Sequence, residues 1–112
     1  MKNWGKVETG VILTISTYHM PKDALDTLNE FHSERRIDLD MDHWAKALNW
    51  ANSDYGYAIT AHSLREHVEN GRDKQPFILE TAELARDFGA QWVMFDRDAG
   101  IVEGMTSYEE TY

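Results

Sequence analysis

The run "GVILTIST", residues 10–17, constrains the fold more than any other stretch of the chain. Its β-branched and apolar residues follow one another without the polar alternation of a half-solvated strand. It therefore reads as a strand covered on both faces, central rather than edge. It stops at "YHMP", where Pro21 suits the first turn of a helix because its missing N–H has no bond to make there. A chain that must bury such a strand needs layers laid against it.

Those layers are legible downstream. Ala24, Leu25, Leu28, Phe31 and His32 recur at helical spacing and predict a helix over 21–35. Met41, Trp44, Ala45, Leu48 and Ala51 form a second helical stripe. "YGYAITA", residues 55–61, is the second strand. In "HSLREHVENG", Ser63 and Glu66 have capping-box spacing and Gly71 is a stop signal. "QPFILETAELARDFG" starts with Pro76 and ends at Gly89, the asymmetry of a helix start and finish. "AQWVMFD" is the third strand, "RDAG" a turn, and "IVEGMTSYE" a fourth strand returning as a C-terminal hairpin. The order β-α-α-β-α-α-β-β implies a single α+β domain over residues 1–112. Its expected architecture is a small mixed three- to four-stranded sheet with helices packed on it in two or three layers.

At 112 residues, size scaling leaves about one third of the unfolded chain's surface exposed, enough for a core without staples. The absence of cysteine excludes a disulfide framework, a thiolate nucleophile and thiolate-held zinc or iron–sulfur centres. No stretch approaches the roughly 20 apolar residues that cross a bilayer, and "MKNWGKVETG" lacks a signal peptide's apolar segment. The expected setting is the cytoplasm of a bacterial cell, with no membrane partner.

"RRIDLDMDHW", residues 35–44, places Asp38, Asp40 and Asp42 at the first, third and fifth positions of a calcium loop. That loop also needs glycine at its sixth position and a bidentate glutamate at its twelfth, where this chain has His43 and Asn49. A helix start is the better reading: Asp40 caps, Asp42 sits in the first turn, and Ile37, Leu39 and Met41 alternate inward. The five histidines contain no metal-binding pair at helical spacing, and His32 and His67 read as satisfied core residues. No metal and no cofactor is expected.

One other arrangement holds chemistry. The first strand ends in "STYH", the second in "TAH" and the third in "FDRD". If all three run parallel, Ser16, Tyr18, His19, His62, Asp96 and Asp98 gather at one sheet edge, where open α/β sheets bind ligands. A His–Asp pair there could serve as general acid and base in a small enzyme, or hold a ligand. Polar strand ends also arise for turn reasons alone, and no nucleophile elbow, phosphate loop or dinucleotide fingerprint accompanies them.

Charge is the loudest signal: 20 acidic against 11 basic residues give a net charge of −9. Such a surface repels nucleic acid and anionic membranes and favours basic protein surfaces. Asp23, Asp26, Glu30 and Glu34 step by three or four along the first helix, and Asp38, Asp40 and Asp42 extend the tract. A second acidic excess lies late in the chain, with Glu103, Glu109 and Glu110 as its patch. Carboxylates about 5–6 Å apart on a helix imitate a phosphate track, whose complement is the Lys/Arg groove of a nucleic-acid-binding protein. An acidic helix face is otherwise simply solvated. Exposed aromatics such as Trp4 and Tyr112 also leave a homodimer open.

"ILTISTYHMPKDALDTL", "YGYAI" and "GAQWVMFDRDAG" together resemble a family of small acidic proteins of unknown function carried by bacteriophages, plasmids and other bacterial mobile elements. The resemblance covers most of the chain and implies no catalytic residues. It implies a setting in which small acidic proteins block host defences such as CRISPR or restriction complexes. The expected function is therefore non-enzymatic: stoichiometric binding to a basic surface of a host protein or ribonucleoprotein complex, without direct nucleic-acid binding.

Overall fold

The computed structural model describes residues 3, 5, 10–34 and 37–112. The described chain forms strand β1 (Val11–Ser16), helix α1 (Lys22–Phe31), a one-turn helix α2 (Trp44–Ala47), strands β2 (Ala51–Ser53) and β3 (Gly56–Thr60), helices α3 (Ala61–Asn70) and α4 (Pro76–Phe88), and strand β4 (Ala90–Asp96). The α+β class holds, as one mixed four-stranded sheet in the order β1-β4-β3-β2. β1 pairs with β4 in parallel, and β3 pairs with both β4 and β2 antiparallel.

Alternation along the strands decides which face is covered. Leu13 and Ile15 of β1 lie beside Val93 and Phe95 of β4, and these beside Ile59 and Tyr57 of β3. That face is sealed by Met20, Leu28, Trp44, Leu48, Leu64, Phe77 and Ile78. The centre is aromatic: Phe77 meets Trp44 edge-on at 5.4 Å between ring centroids and stacks on Trp50 at 6.4 Å, while Trp50 lies 5.9 Å from Phe95. Large rings fill the wedge between sheet and helices with few atoms left over.

The opposite face carries Ile12 and Thr14 of β1, Trp92 and Met94 of β4, and Ala58 and Thr60 of β3. Ile12 is 65 % exposed and Trp92 38 %. The fold thus has two layers. β1 is an edge strand covered on one face, not the doubly covered central strand its sequence suggests.

Two further expectations change. The helix over 41–51 shrinks to the single turn of α2, because Asn49 takes a left-handed φ of 56° and swings Trp50 into the core. Freed from the helix, Ala51–Ser53 pairs with β3 through a tight turn at Asp54 and Tyr55. Gly56 closes that hairpin at φ 154°, where an added Cβ would stand 1.8 Å from the Phe95 carbonyl oxygen. The C-terminal hairpin does not form: residues 101–108 contain no strand. That segment instead folds back as a strap, described below.

The other helices keep their signals. Thr60, three positions before the expected cap Ser63, caps α3 instead, accepting from the Ser63 N–H at 3.0 Å. Pro76 opens α4, and Gly89 ends it in the left-handed conformation. No helix among the described residues is long and apolar enough to cross a membrane.

Candidate functional site: an acidic face and the strap that completes it

α1 is amphipathic in the simplest way. Ala24, Leu28 and Phe31 are buried, and Asp23, Asp26 and Glu30 are exposed on the other side; the helix ends at Phe31 rather than at 35, so Glu34, also exposed, lies in the turn beyond it. Asp23 sits in the first turn, where the helix dipole favours it, and its Oδ1 accepts from the Ala24 N–H at 2.9 Å. Asp26 pairs with Lys22 at 3.1 Å, with both side chains about half exposed. A solvated pair of this kind contributes little and leaves Lys22 free to move. Among the described residues Asp23, Glu30 and Glu34 have no ionic partner.

Residues 97–112 run back over the C-terminal end of β1 as the strap. Side chains hold it more than any ladder does. The Ser16 N–H donates to the Gly100 carbonyl at 3.2 Å. His19, 1 % exposed, uses both ring nitrogens: Nδ1 donates to the Thr106 carbonyl and Nε2 accepts from the Val102 N–H, each at 2.8 Å. Glu80 on α4 grips Thr106 twice, accepting from its N–H at 2.6 Å and its hydroxyl at 2.9 Å. The Tyr108 N–H donates to the Tyr18 carbonyl at 2.7 Å.

The strap's last residue closes the arrangement. The Tyr112 hydroxyl donates to the Met20 carbonyl and, at 3.1 Å, to that of Thr17. Its ring meets Tyr18 edge-on at 4.9 Å. Burial, with Asp26 and then Tyr18 and Asp23 close by, pushes the Tyr112 phenol up to about 12. The turn Glu109–Thr111 is therefore docked at the N-terminal end of α1. Glu109 and Glu110 are exposed on this turn, and the Tyr112 phenol that follows them is the group that lies close to Asp26 and Asp23. Glu103 is exposed on the same strap, in the turn beside Val102.

Asp38, Asp40 and Asp42 are all exposed, but their expected roles change. His43, not Asp40, caps α2: its Nδ1 accepts from the Ala45 N–H at 3.1 Å. Asp40 contributes its carbonyl to a turn with the His43 N–H. Met41 does not face inward; it is 78 % exposed. Asp42 lies 3.9 Å from Arg72, and Asp73 anchors the segment by accepting from the Trp44 N–H at 3.3 Å. Among the described residues no three His, Asp or Glu side chains gather as a metal site.

The strand-end cluster is split by topology. Ser16 does pair with Asp96, and Tyr18 and His19 follow at the same edge. His62 is at the other end, because β3 runs antiparallel and its Thr60 pairs with Trp92. Trp92 and Asp96 are separated by four residues, about 13 Å of strand, and His62 lies beyond Thr60. Its Nε2 meets Glu66 at 3.2 Å on the exposed side of α3. The remaining groups serve the backbone: Ser16 Oγ accepts from the Tyr18 N–H, and Asp96 Oδ1 accepts from the Asp98 N–H in the following turn. His32 and His67 are satisfied as expected, by the Leu28 and Asp73 carbonyls.

Sequence reasoning missed Glu80 and Asp73, which latch loops over distances that no local pattern encodes. It also missed the cleft of about 960 Å³ between α3 and α4, lined by Arg65, Val68, Glu69, Leu79, Ala82 and Arg86 among others. None of the sequence-predicted site residues lines it.

Fold and surfaces together define a two-layer α+β domain whose strand-end polar groups hold its own chain and whose first helix exposes a row of carboxylates. The chain belongs to a family of unknown function, DUF5983, whose C-terminal domain model matches residues 12–110. No curated protein and no solved structure matches it.

Proposed function

We propose that this domain is a non-enzymatic binding protein that occupies a basic, nucleic-acid-binding surface on a host protein or ribonucleoprotein complex. On this reading it is encoded by a phage or mobile element. It inhibits a bacterial defence complex of the CRISPR or restriction type stoichiometrically, in the cytoplasm. One observation supports the reading: Asp23, Asp26 and Glu30 are exposed along one side of α1, and the strap that carries Glu109 and Glu110 brings its Tyr112 phenol close to Asp26 and Asp23. A track of exposed carboxylates, of which among the described residues Asp26 meets Lys22 and Asp42 meets Arg72, is complementary to a groove that holds phosphates. Asp38, Asp40 and Asp42 extend the charge beyond α1, and Tyr18 and Tyr112 lend a rigid aromatic platform at its other end.

The test is capture of the tagged protein's partner from bacterial host lysate at low salt, repeated with Asp26→Lys/Glu30→Lys. Both positions are solvent-facing, so circular dichroism should be unchanged. Each reversal removes an attraction and adds a repulsion, and together they should weaken binding about 100-fold. Raising salt from 0.1 to 0.5 M should weaken the native complex as well. Capture that persists in the double variant, or that is indifferent to salt, would show the stripe to be only a solvated face.

A further inference from the structure

The sheet face turned away from the helices has no role in the acidic reading. It is unusual for this chain. Across β1, β4, β3 and β2 the positions on this face are Ile12 and Thr14; Trp92, Met94 and Asp96; Gly56, Ala58 and Thr60; and Ala51 and Ser53, while Ser16 on the same side is buried. Only Asp96 is charged, at the rim, although 28 % of all residues carry charge. Its most exposed apolar part is the row Ile12, Trp92, Thr60 at the end of the sheet away from the strap, and Met94 and Ala58, partly buried, lie in the next row.

We propose that this face is a self-association surface, on which a second copy of the chain packs sheet to sheet about a two-fold axis. The choice of occupant follows from charge. Two copies of net charge −9 repel each other overall, and this is the face from which charge has been withdrawn. A basic protein or a nucleic acid would find nothing here to pair with. An isologous interface also needs a self-complementary patch. Flat aliphatic and aromatic side chains on a twisted sheet supply one, packing about 10 Å apart with strand directions about 30° off parallel.

Size sets the strength. Four strands about 4.8 Å apart and about five residues long give a plan area of roughly 320 Å². With side-chain relief the pair buries about 1,000 Å², the lower limit of specific interfaces. An interface at that limit makes a weak dimer, and it leaves the acidic residues of α1 outward on each copy. The inference does not depend on the acidic reading, since it uses none of its residues.

Sedimentation velocity of the full chain from about 2 to 500 μM tests it. The native protein should move from 13.0 kDa toward twice that mass as concentration rises. Salt at 1 M should leave the association unchanged or strengthen it. Trp92→Lys and Ile12→Lys, both at exposed positions, should weaken association at least about 30-fold with circular dichroism unchanged. A native chain that stays monomeric at 500 μM overturns the proposal. So does a dimer that survives both lysine variants in folded protein; pairing along the free edge of β1 would behave that way, since Trp92 lies on an interior strand.

Discussion

Replacing His19 by alanine removes both bonds by which the body of the domain holds the strap at Val102 and Thr106. Each is a side-chain-to-backbone hydrogen bond worth about 1 kcal/mol net, because the freed Val102 N–H and Thr106 carbonyl regain water only in part. The ring is 1 % exposed, and deleting it forfeits about a further 1–2 kcal/mol of transfer and packing energy. The expected loss is about 3 kcal/mol, or about 12 °C in Tm for a domain of this size. Native-state hydrogen exchange checks the location as well as the size: Val102 and Tyr108 amides should lose protection while those of β3 and β4 fall only by the global amount. His19→Gln should recover part of the loss, since its Oε1 can reach the Nε2 position and accept from Val102. A His19→Ala chain in which the Val102 amide exchanges as slowly as in the native protein would refute the claim that this ring pins the strap.

Other consequences are sharp enough to measure. Tyr112 titrates at about 12 in the folded chain against 10.0 free, so its contribution is intact below about pH 10 and lost as pH climbs from there through about 12. Tyr112→Phe should abolish that alkaline loosening of the strap, read as the disappearance of the highest-titrating tyrosinate at 295 nm. Gly56→Ala forces a Cβ to 1.8 Å from the Phe95 carbonyl at φ 154° and should cost more than about 3 kcal/mol in a denaturant titration. Phe77→Ala empties the middle of the aromatic cluster and should cost about 3–5 kcal/mol by the same assay. Glu80→Ala should release Thr106, and a cycle with His19→Ala should show coupling above about 0.5 kcal/mol because both grip one segment.

How much of this was legible in the sequence depends on whether a signal was local. β1, β3 and β4 announce themselves through β-branched and aromatic density, and α4 through Pro76 and Gly89, because these act within a few residues. The overlong second helix failed at Asn49: its apolar stripe continues on paper, but an αL residue redirects Trp50, and burial of that ring outweighs the periodicity. β2 is three exposed residues with no pattern of their own, present because β3 offers an edge. The expected terminal hairpin failed because His19 and Glu80 capture Thr106 from afar, and no spacing rule encodes that. Exposure of the acidic stripe was readable from its period. The docking of the chain's last turn beside it rests on one phenol reaching two carbonyls, a fact of tertiary structure alone.

The sheet order has a consequence in time. β1 is made before the other strands described, but among the described residues its only ladder partner is β4, about 80 residues further along the chain. During synthesis "VILTIS" must wait, uncharged and unpaired, until nearly the whole domain has left the ribosome. Loop closure over such a span is slow compared with forming α3, α4 or the β2–β3 hairpin, all of which are local. The folding nucleus should therefore lie in the later two thirds of the chain, with β1 docking last. The expression hazard of this protein sits in its first strand, and a cell making it in quantity depends on whatever shields that strand in the meantime.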